Sequence, residues 1–149
     1  MKVISRNDKI SVFLMGENVL DKDNIMGQIK ELIIKLKRKY NKTISGFYRV
    51  NIYETKICTI IDLIQEEEID FLKDIIDLKI VICENEDIYL GFEDYYLFKN
   101  RKKYFLNNRY YVNLKEISKK EYLKVCEFCN IVYGEELSKI KQNKKLITI

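Results

Sequence analysis

Apolar residues recur at helical spacing from Ile25 to Tyr40, with Ile25, Ile29, Leu32, Ile33, Leu36 and Tyr40 falling on one face. Lys35, Lys37, Arg38 and Lys39 gather at the far end of this segment, where cations complement the helix dipole. Gly16 to Asp23 reads as a turn that offers Asp21 or Asp23 as N-cap. On either side the period changes to two. Ile10 to Leu14 reads as a strand, and Tyr48, Val50 and Ile52 alternate with Phe47, Arg49 and Asn51 in a strand opened by Gly46. Glu54-Thr55-Lys56 turns the chain and Ile57 to Ile64 returns. Residues 10–64 therefore predict strand, helix, strand, strand, with the helix crossing one face of an antiparallel sheet.

Gln65-Glu66-Glu67-Glu68 interrupts the alternation, and Ile69, Leu72, Ile75 and Ile76 suggest a short helix. Leu78 to Cys83 and Ile88 to Phe92 predict a hairpin across Glu84-Asn85-Glu86. Tyr95 to Phe98 and Tyr104 to Leu106 read as further short strands. Asn107-Asn108, which tolerate positive φ, make Tyr104 to Leu114 a tight hairpin. Ser118-x-x-Glu121 is a capping box. It predicts a helix over about 119–133 that buries Tyr122, Val125, Cys126, Cys129 and Val132 and ends at Gly134. Leu146 to Ile149 adds an edge strand or frays. The expected class is α+β, with mostly antiparallel sheet and two main helices (about 24–40 and 119–133). A β-α-β-β unit leads into a β-meander and a C-terminal helix, in one compact domain over residues 1–149 whose place for a subdivision is 65–78.

Composition narrows the chemistry. Across 149 residues there is no histidine, which removes Ser-His and Cys-His nucleophile activation and His-based metal sites. The absence of proline and tryptophan, with abundant Ile, Lys and Asn, is the bias of an AT-rich bacterial coding sequence. Apolar runs such as Ile80 to Cys83 are strand-sized, so no membrane partner is expected. The first residues lack a secretory apolar region, and the cysteines look unpaired, which together point to the cytoplasm. The net charge of +4 is polarised. Residues 95–149 hold 13 Lys/Arg against 5 Asp/Glu, whereas residues 1–94 hold 14 against 18. A basic half attracts anionic partners, and it is equally the pattern of a solubilising surface.

Cys126-Glu127-Phe128-Cys129 is a CxxC, but Cys58 and Cys83 stand alone in predicted strands instead of forming a second knuckle. On the predicted helix, Cys126 and Cys129 share a face with Tyr122 and Val125, so they are expected to pack as small hydrophobes. Neither metal nor cofactor is called for. Glu66-Glu67-Glu68-x-Asp70 directs its carboxylates apart and reads as a solvated connector. Gly16 and Gly27 bracket the first helix without a phosphate-cradling motif. The β-α-β-β order brings RNA-recognition sheets to mind, and Phe47, Tyr48 or Tyr53 would supply stacking rings; the strand motif of that module is missing.

From Tyr95 to Leu114 the chain collects seven of its eighteen aromatics and five Lys/Arg with no carboxylate. Tyr95, Tyr96, Arg101, Lys102, Lys103, Phe105, Arg109 and Tyr111 are the candidate partner-binding residues. Facing solvent, they make an interface core with a cationic rim; packed on the following helix, they are core. Alternation alone assigns neither face.

Lys103-Tyr104-Phe105-Leu106-Asn107-Asn108-Arg109-Tyr110-Tyr111-Val112, a helix, and then Val132-Tyr133-Gly134-Glu135-Glu136 resemble the C-terminal domain of MecA-type adaptors. Those adaptors deliver substrates to a Clp-class unfoldase. The N-terminal strand, helix and two strands are similar to the family's substrate-recognition part. Here the family's long acidic linker is reduced to residues 65–77 and the helix before the aromatic hairpin is missing, so no binding residue is carried over. The reading that follows is a non-catalytic, regulatory, adaptor-like module with a protein partner. Nucleic-acid binding by the basic half is the alternative, and a small enzyme using carboxylate, Tyr or Lys chemistry is the third.

Overall fold

A computed structural model of the chain describes residues 1–6, 9–16, 19–69, 75–83 and 86–149. It is an α+β protein whose contacts gather into two compact units, Met1–Glu84 and Asn85–Ile149. Each unit holds one five-stranded sheet.

The first unit runs β1 (Lys2–Arg6), β2 (Lys9–Met15), α1 (Ile25–Lys39), β3 (Gly46–Glu54), β4 (Cys58–Glu68) and β5 (Ile76–Ile82). Its strand order is β1-β2-β4-β3-β5. All neighbours are antiparallel except β3 and β5, which are parallel. Asp21 caps the short 3-10 turn that leads into α1, its carboxylate accepting from Asp23 N–H at 3.0 Å. The apolar stripe of α1 does what its spacing predicts. Ile29, Ile33 and Leu36 are fully buried against Ile10, Val12, Val50, Ile52, Ile61 and Leu63 on one sheet face. Side chains of this size stabilise by ~1.5–3 kcal/mol each when wholly removed from water.

Lys2–Arg6 adds a strand that the pattern did not predict, paired along its whole length with β2. Two expectations in this unit are corrected. Gln65–Glu68 does not end β4, because cross-strand bonds to β3 carry the ladder as far as Gly46 and Glu68, with a bulge between Phe47 and Tyr48. The hairpin of Leu78–Cys83 with Ile88–Phe92 does not form. Ile76, Leu78 and Ile80 match the apolar face of β3, and β5 pairs there, with Val50 opposite Ile80. Of the predicted short helix, Ile69 follows β4 and Ile76 opens β5, while Leu72 lies outside the described residues.

A polar knot fixes where β5 begins. The Lys37 ammonium, buried in α1, donates to Gln65 Oε1 at 2.7 Å and lies 5.6 Å from the Tyr48 ring centroid. Gln65 Nε2 donates to the Ser45 carbonyl, and Ile75 N–H donates to Ser45 Oγ, both at 3.3 Å. Burial lowers the Lys37 pKa and pushes the Tyr48 phenol up to about 12, so a neutral phenol donates to the Ile44 carbonyl. Gly46 is required beside this knot, since a Cβ there would strike the Glu67 carbonyl oxygen.

The second unit runs β6 (Tyr89–Phe92), β7 (Tyr104–Leu106), β8 (Arg109–Asn113), α2 (Lys119–Val125), β9 (Cys129–Val132), α3 (Gly134–Lys141) and β10 (Ile147–Thr148). The order is β10-β7-β8-β6-β9, antiparallel throughout. Asn107 and Asn108 take positive φ in the β7–β8 turn, as expected, and the chain's last residues do add an edge strand. Ser118 and Glu121 form the full capping box of α2.

The helix it starts is shorter than its periodicity predicts. After Val125 the chain passes through one 3-10 turn and becomes β9, which pairs Cys129 with Phe92 and Val132 with Tyr89. Ladder bonds and the strand preference of Ile131 and Val132 override the helical spacing. Gly134, at φ 61°, opens α3 instead of closing α2. Tyr95 to Phe98 is a turn, not a strand.

Candidate functional site

The segment between β6 and β7 is tied down at several points. Asp94 accepts from Tyr96 N–H through its side chain at 2.9 Å and from Leu97 N–H through its carbonyl at 3.1 Å. Phe98 adopts φ 55° and turns its ring edge-on to buried Phe92, centroids 5.5 Å apart. Lys103 is buried, donates to the Lys99 carbonyl at 3.3 Å and holds its ammonium 5.0 Å from the Tyr95 ring centroid. Burial lowers its pKa. Tyr95 stands edge-on to Tyr110, which also meets Phe105 and Phe92. Above this layer Tyr95 is 42% and Tyr96 73% exposed. Arg101 and Lys102 are exposed, and the Lys102 ammonium lies 5.6 Å from the Tyr104 ring centroid.

Five of the eight sequence-predicted residues divide between the two faces of one sheet. Tyr95, Lys103 and Phe105 belong to the face of Tyr110. Arg109 and Tyr111 belong to the other, since Leu106 pairs with Arg109 and Tyr104 with Tyr111. There Tyr111 is buried, and Arg109 bonds to Asn130 and, at 3.2 Å, to Glu93. Arg101 is paired with Glu121 at 3.0 Å, the same carboxylate that closes the capping box. Lys103 and Tyr111 are therefore structural in position, Lys102 reaches Tyr104 on the Tyr111 face, and Tyr95 and Tyr96 remain as an exposed pair.

The opposite face carries a feature that sequence reasoning missed. Tyr89, Tyr104 and Tyr111, with Leu137, Ile140 and Leu146, line a half-open cavity of about 390 Å³. At its rim Lys141 Nζ lies 2.6 Å from Asp87 Oδ2 and 5.1 Å from the Tyr89 ring centroid. The hydrogen bond from Lys141, with Lys115 nearby, holds the Asp87 carboxyl below its usual range. Burial, with help from Tyr104, pushes the Tyr89 phenol up to about 12. No sequence signal links Asp87 to Lys141.

The CxxC is not on a helix. Cys126 starts the 3-10 turn and Cys129 starts β9. Burial and the neighbouring Cys126 raise the Cys129 thiol to about 11, which keeps it protonated and unreactive at neutral pH. Of the rings considered for RNA stacking, Tyr48 and Tyr53 are buried and Phe47 is 40% exposed. No helix among the described residues is long and apolar enough to cross a membrane. No family model, curated protein or solved structure matches the chain.

Proposed function

We propose that this chain is a cytoplasmic, non-catalytic, adaptor-like interaction module that docks a partner protein through the exposed pair Tyr95 and Tyr96. The observation that carries this reading is the pair of exposed tyrosines on a turn held from beneath by Phe98 and Lys103. Exposed rings on a fixed backbone lose little conformational entropy on docking, and Tyr and Arg are favoured anchors of interface cores. The resemblance to MecA-type adaptors is in keeping with such a role. Nucleic-acid binding is less well supported, because in this segment Lys103 is buried while Arg101 and Arg109 are neutralised by carboxylates.

Affinity capture from lysate of the native organism, with and without nuclease, tests the reading. A partner that survives nuclease and is lost with Tyr96→Ala is the expected result. An unchanged set of captured proteins rejects this surface, and a nuclease-sensitive set favours nucleic acid.

A further inference from the structure

We infer that β5 is a self-complementary sheet edge through which two copies of this chain join their first sheets into one. β5 is bonded to β3 on one side and to no described strand on the other. The four sheet edges are not alike. β9 and β10 are four and two residues long, and β1 carries a cation at each end, Lys2 and Arg6. Short or charged edges resist pairing. β5 is seven residues long, and five of them are apolar. Val81 and Ile82, with Ile75 just before the strand, are 37–44% exposed.

The backbone restricts how a second copy could bind. In a parallel ladder the N–H and C=O of one residue point the same way, and successive residues alternate. Gly46 N–H donates to the Ile75 carbonyl at 2.9 Å, and Cys83 N–H donates to the Ile52 carbonyl at 2.8 Å. Ile75, Asp77, Lys79, Val81 and Cys83 are thus turned toward β3. Ile76, Leu78, Ile80 and Ile82 present their N–H and C=O groups to the free edge.

An antiparallel two-fold pairing must set outward-turned residues opposite one another, so its axis passes through a residue and never between two. An axis on Asp77 opposes two aspartates, and an axis on Lys79 opposes two lysines. An axis on Ile80 sets Lys79 against Val81. An axis on Leu78 sets Asp77 against Lys79 twice, Ile76 against Ile80 twice, Leu78 against itself and exposed Ile75 against exposed Val81.

In that register the charged pairs fall at the close, non-hydrogen-bonded positions, where Cα atoms are about 4.5 Å apart and cross-strand charges interact most strongly. Among the described residues neither Asp77 nor Lys79 has an ion-pair partner within the chain. The axis stands perpendicular to the sheet, so the apolar face of Ile76, Leu78 and Ile80 stays continuous with that of its copy. A heterologous strand would have no need of this symmetry, which is why the occupant is a second copy.

Sedimentation equilibrium on the full chain, from low micromolar to near-millimolar, tests the inference. The wild type should show a monomer–dimer equilibrium. Asp77→Lys and Lys79→Asp each turn both cross-strand pairs into like charges and should weaken the dimer by on the order of tenfold or more. Asp77→Lys/Lys79→Asp restores complementarity and should restore the wild-type constant. Circular dichroism checks that each variant stays folded, and both positions are exposed. If a single reversal unfolds the chain, the wild type and the double variant decide between them. A wild type that stays monomeric throughout, leaving the edge to another protein's strand, overturns the inference. So does a dimer indifferent to the single reversals, or a folded double variant that fails to associate.

Discussion

Against α1 the first sheet sets Val12, Val50, Ile52 and Ile61; against α3 the second sets Tyr89, Tyr104 and Tyr111. Aliphatic side chains bring no polar atom into the core, so their burial is a matter of area and fit. Tyrosines bring hydroxyls that need partners, and a tyrosine layer therefore recruits polar groups to its margin. Lys141, Asp87 and Asn113 gather around Tyr89 for this reason, and a cavity of about 390 Å³ persists among the rings. The buried polar groups of the first unit stand off the layer facing α1, in the Lys37–Gln65–Ser45 knot at one end of α1 and in the Ser11–Asp62 hydrogen bond on the sheet's other face. One face of helix-backed sheet can thus be a closed aliphatic wall or a polar-rimmed recess, depending on whether its residues have tips that must be satisfied.

Truncation should separate the two designs most clearly. Ile61→Ala removes a side chain with no exposure from the aliphatic layer and should cost about 2–5 kcal/mol by urea unfolding. Tyr89→Phe keeps the ring and deletes only the hydroxyl bonded to Tyr104 and Asn113, so a loss of about 1 kcal/mol is expected. Losses of equal size would mean that the hydroxyl network, not the ring, holds the second sheet together. The smallest effect sharpens the comparison through pH. Lys141 and Lys115 depress the folded-state pKa of Asp87. Its contribution is therefore present above the unfolded value of roughly 4 and is lost as pH falls through the lower folded value. The stability gap between wild type and Asp87→Asn should be measurable at neutral pH and vanish in strong acid. Because the Asp87 side chain is 36% exposed, added salt should also narrow it. A gap that persists in acid would show that Asp87 acts by packing.

How far the sequence could be read follows the same division. In the first unit, Ile29, Ile33 and Leu36 at helical spacing and Val50 and Ile52 at period two already identify the buried faces. Aliphatic residues mark an inside face by contrast with Arg49 or Lys35. In the second unit aromatics occupy both faces of one hairpin. Tyr110 and Tyr111 are neighbours, yet one stacks on Phe92 and the other lies in the cavity with Tyr89. Amphipathic rings give no such contrast, so the candidate site was legible as a segment and not as a surface. Lys103 shows the reverse error, since a cation read as rim is 2% exposed.

Composition and local pattern settled what depends on neighbours in the chain: the α+β class, α1 and its face, the Asn107-Asn108 turn and the Ser118–Glu121 cap. Each is governed by backbone preferences or by contacts within a few residues. Only the fold decided where β5 would pair, that residues 129–132 would leave the helix for a strand, and that Asp87 would meet Lys141. Those outcomes turn on hydrogen bonds and burial offered by partners far along the chain, which outweigh local preferences of a kcal/mol or less per residue.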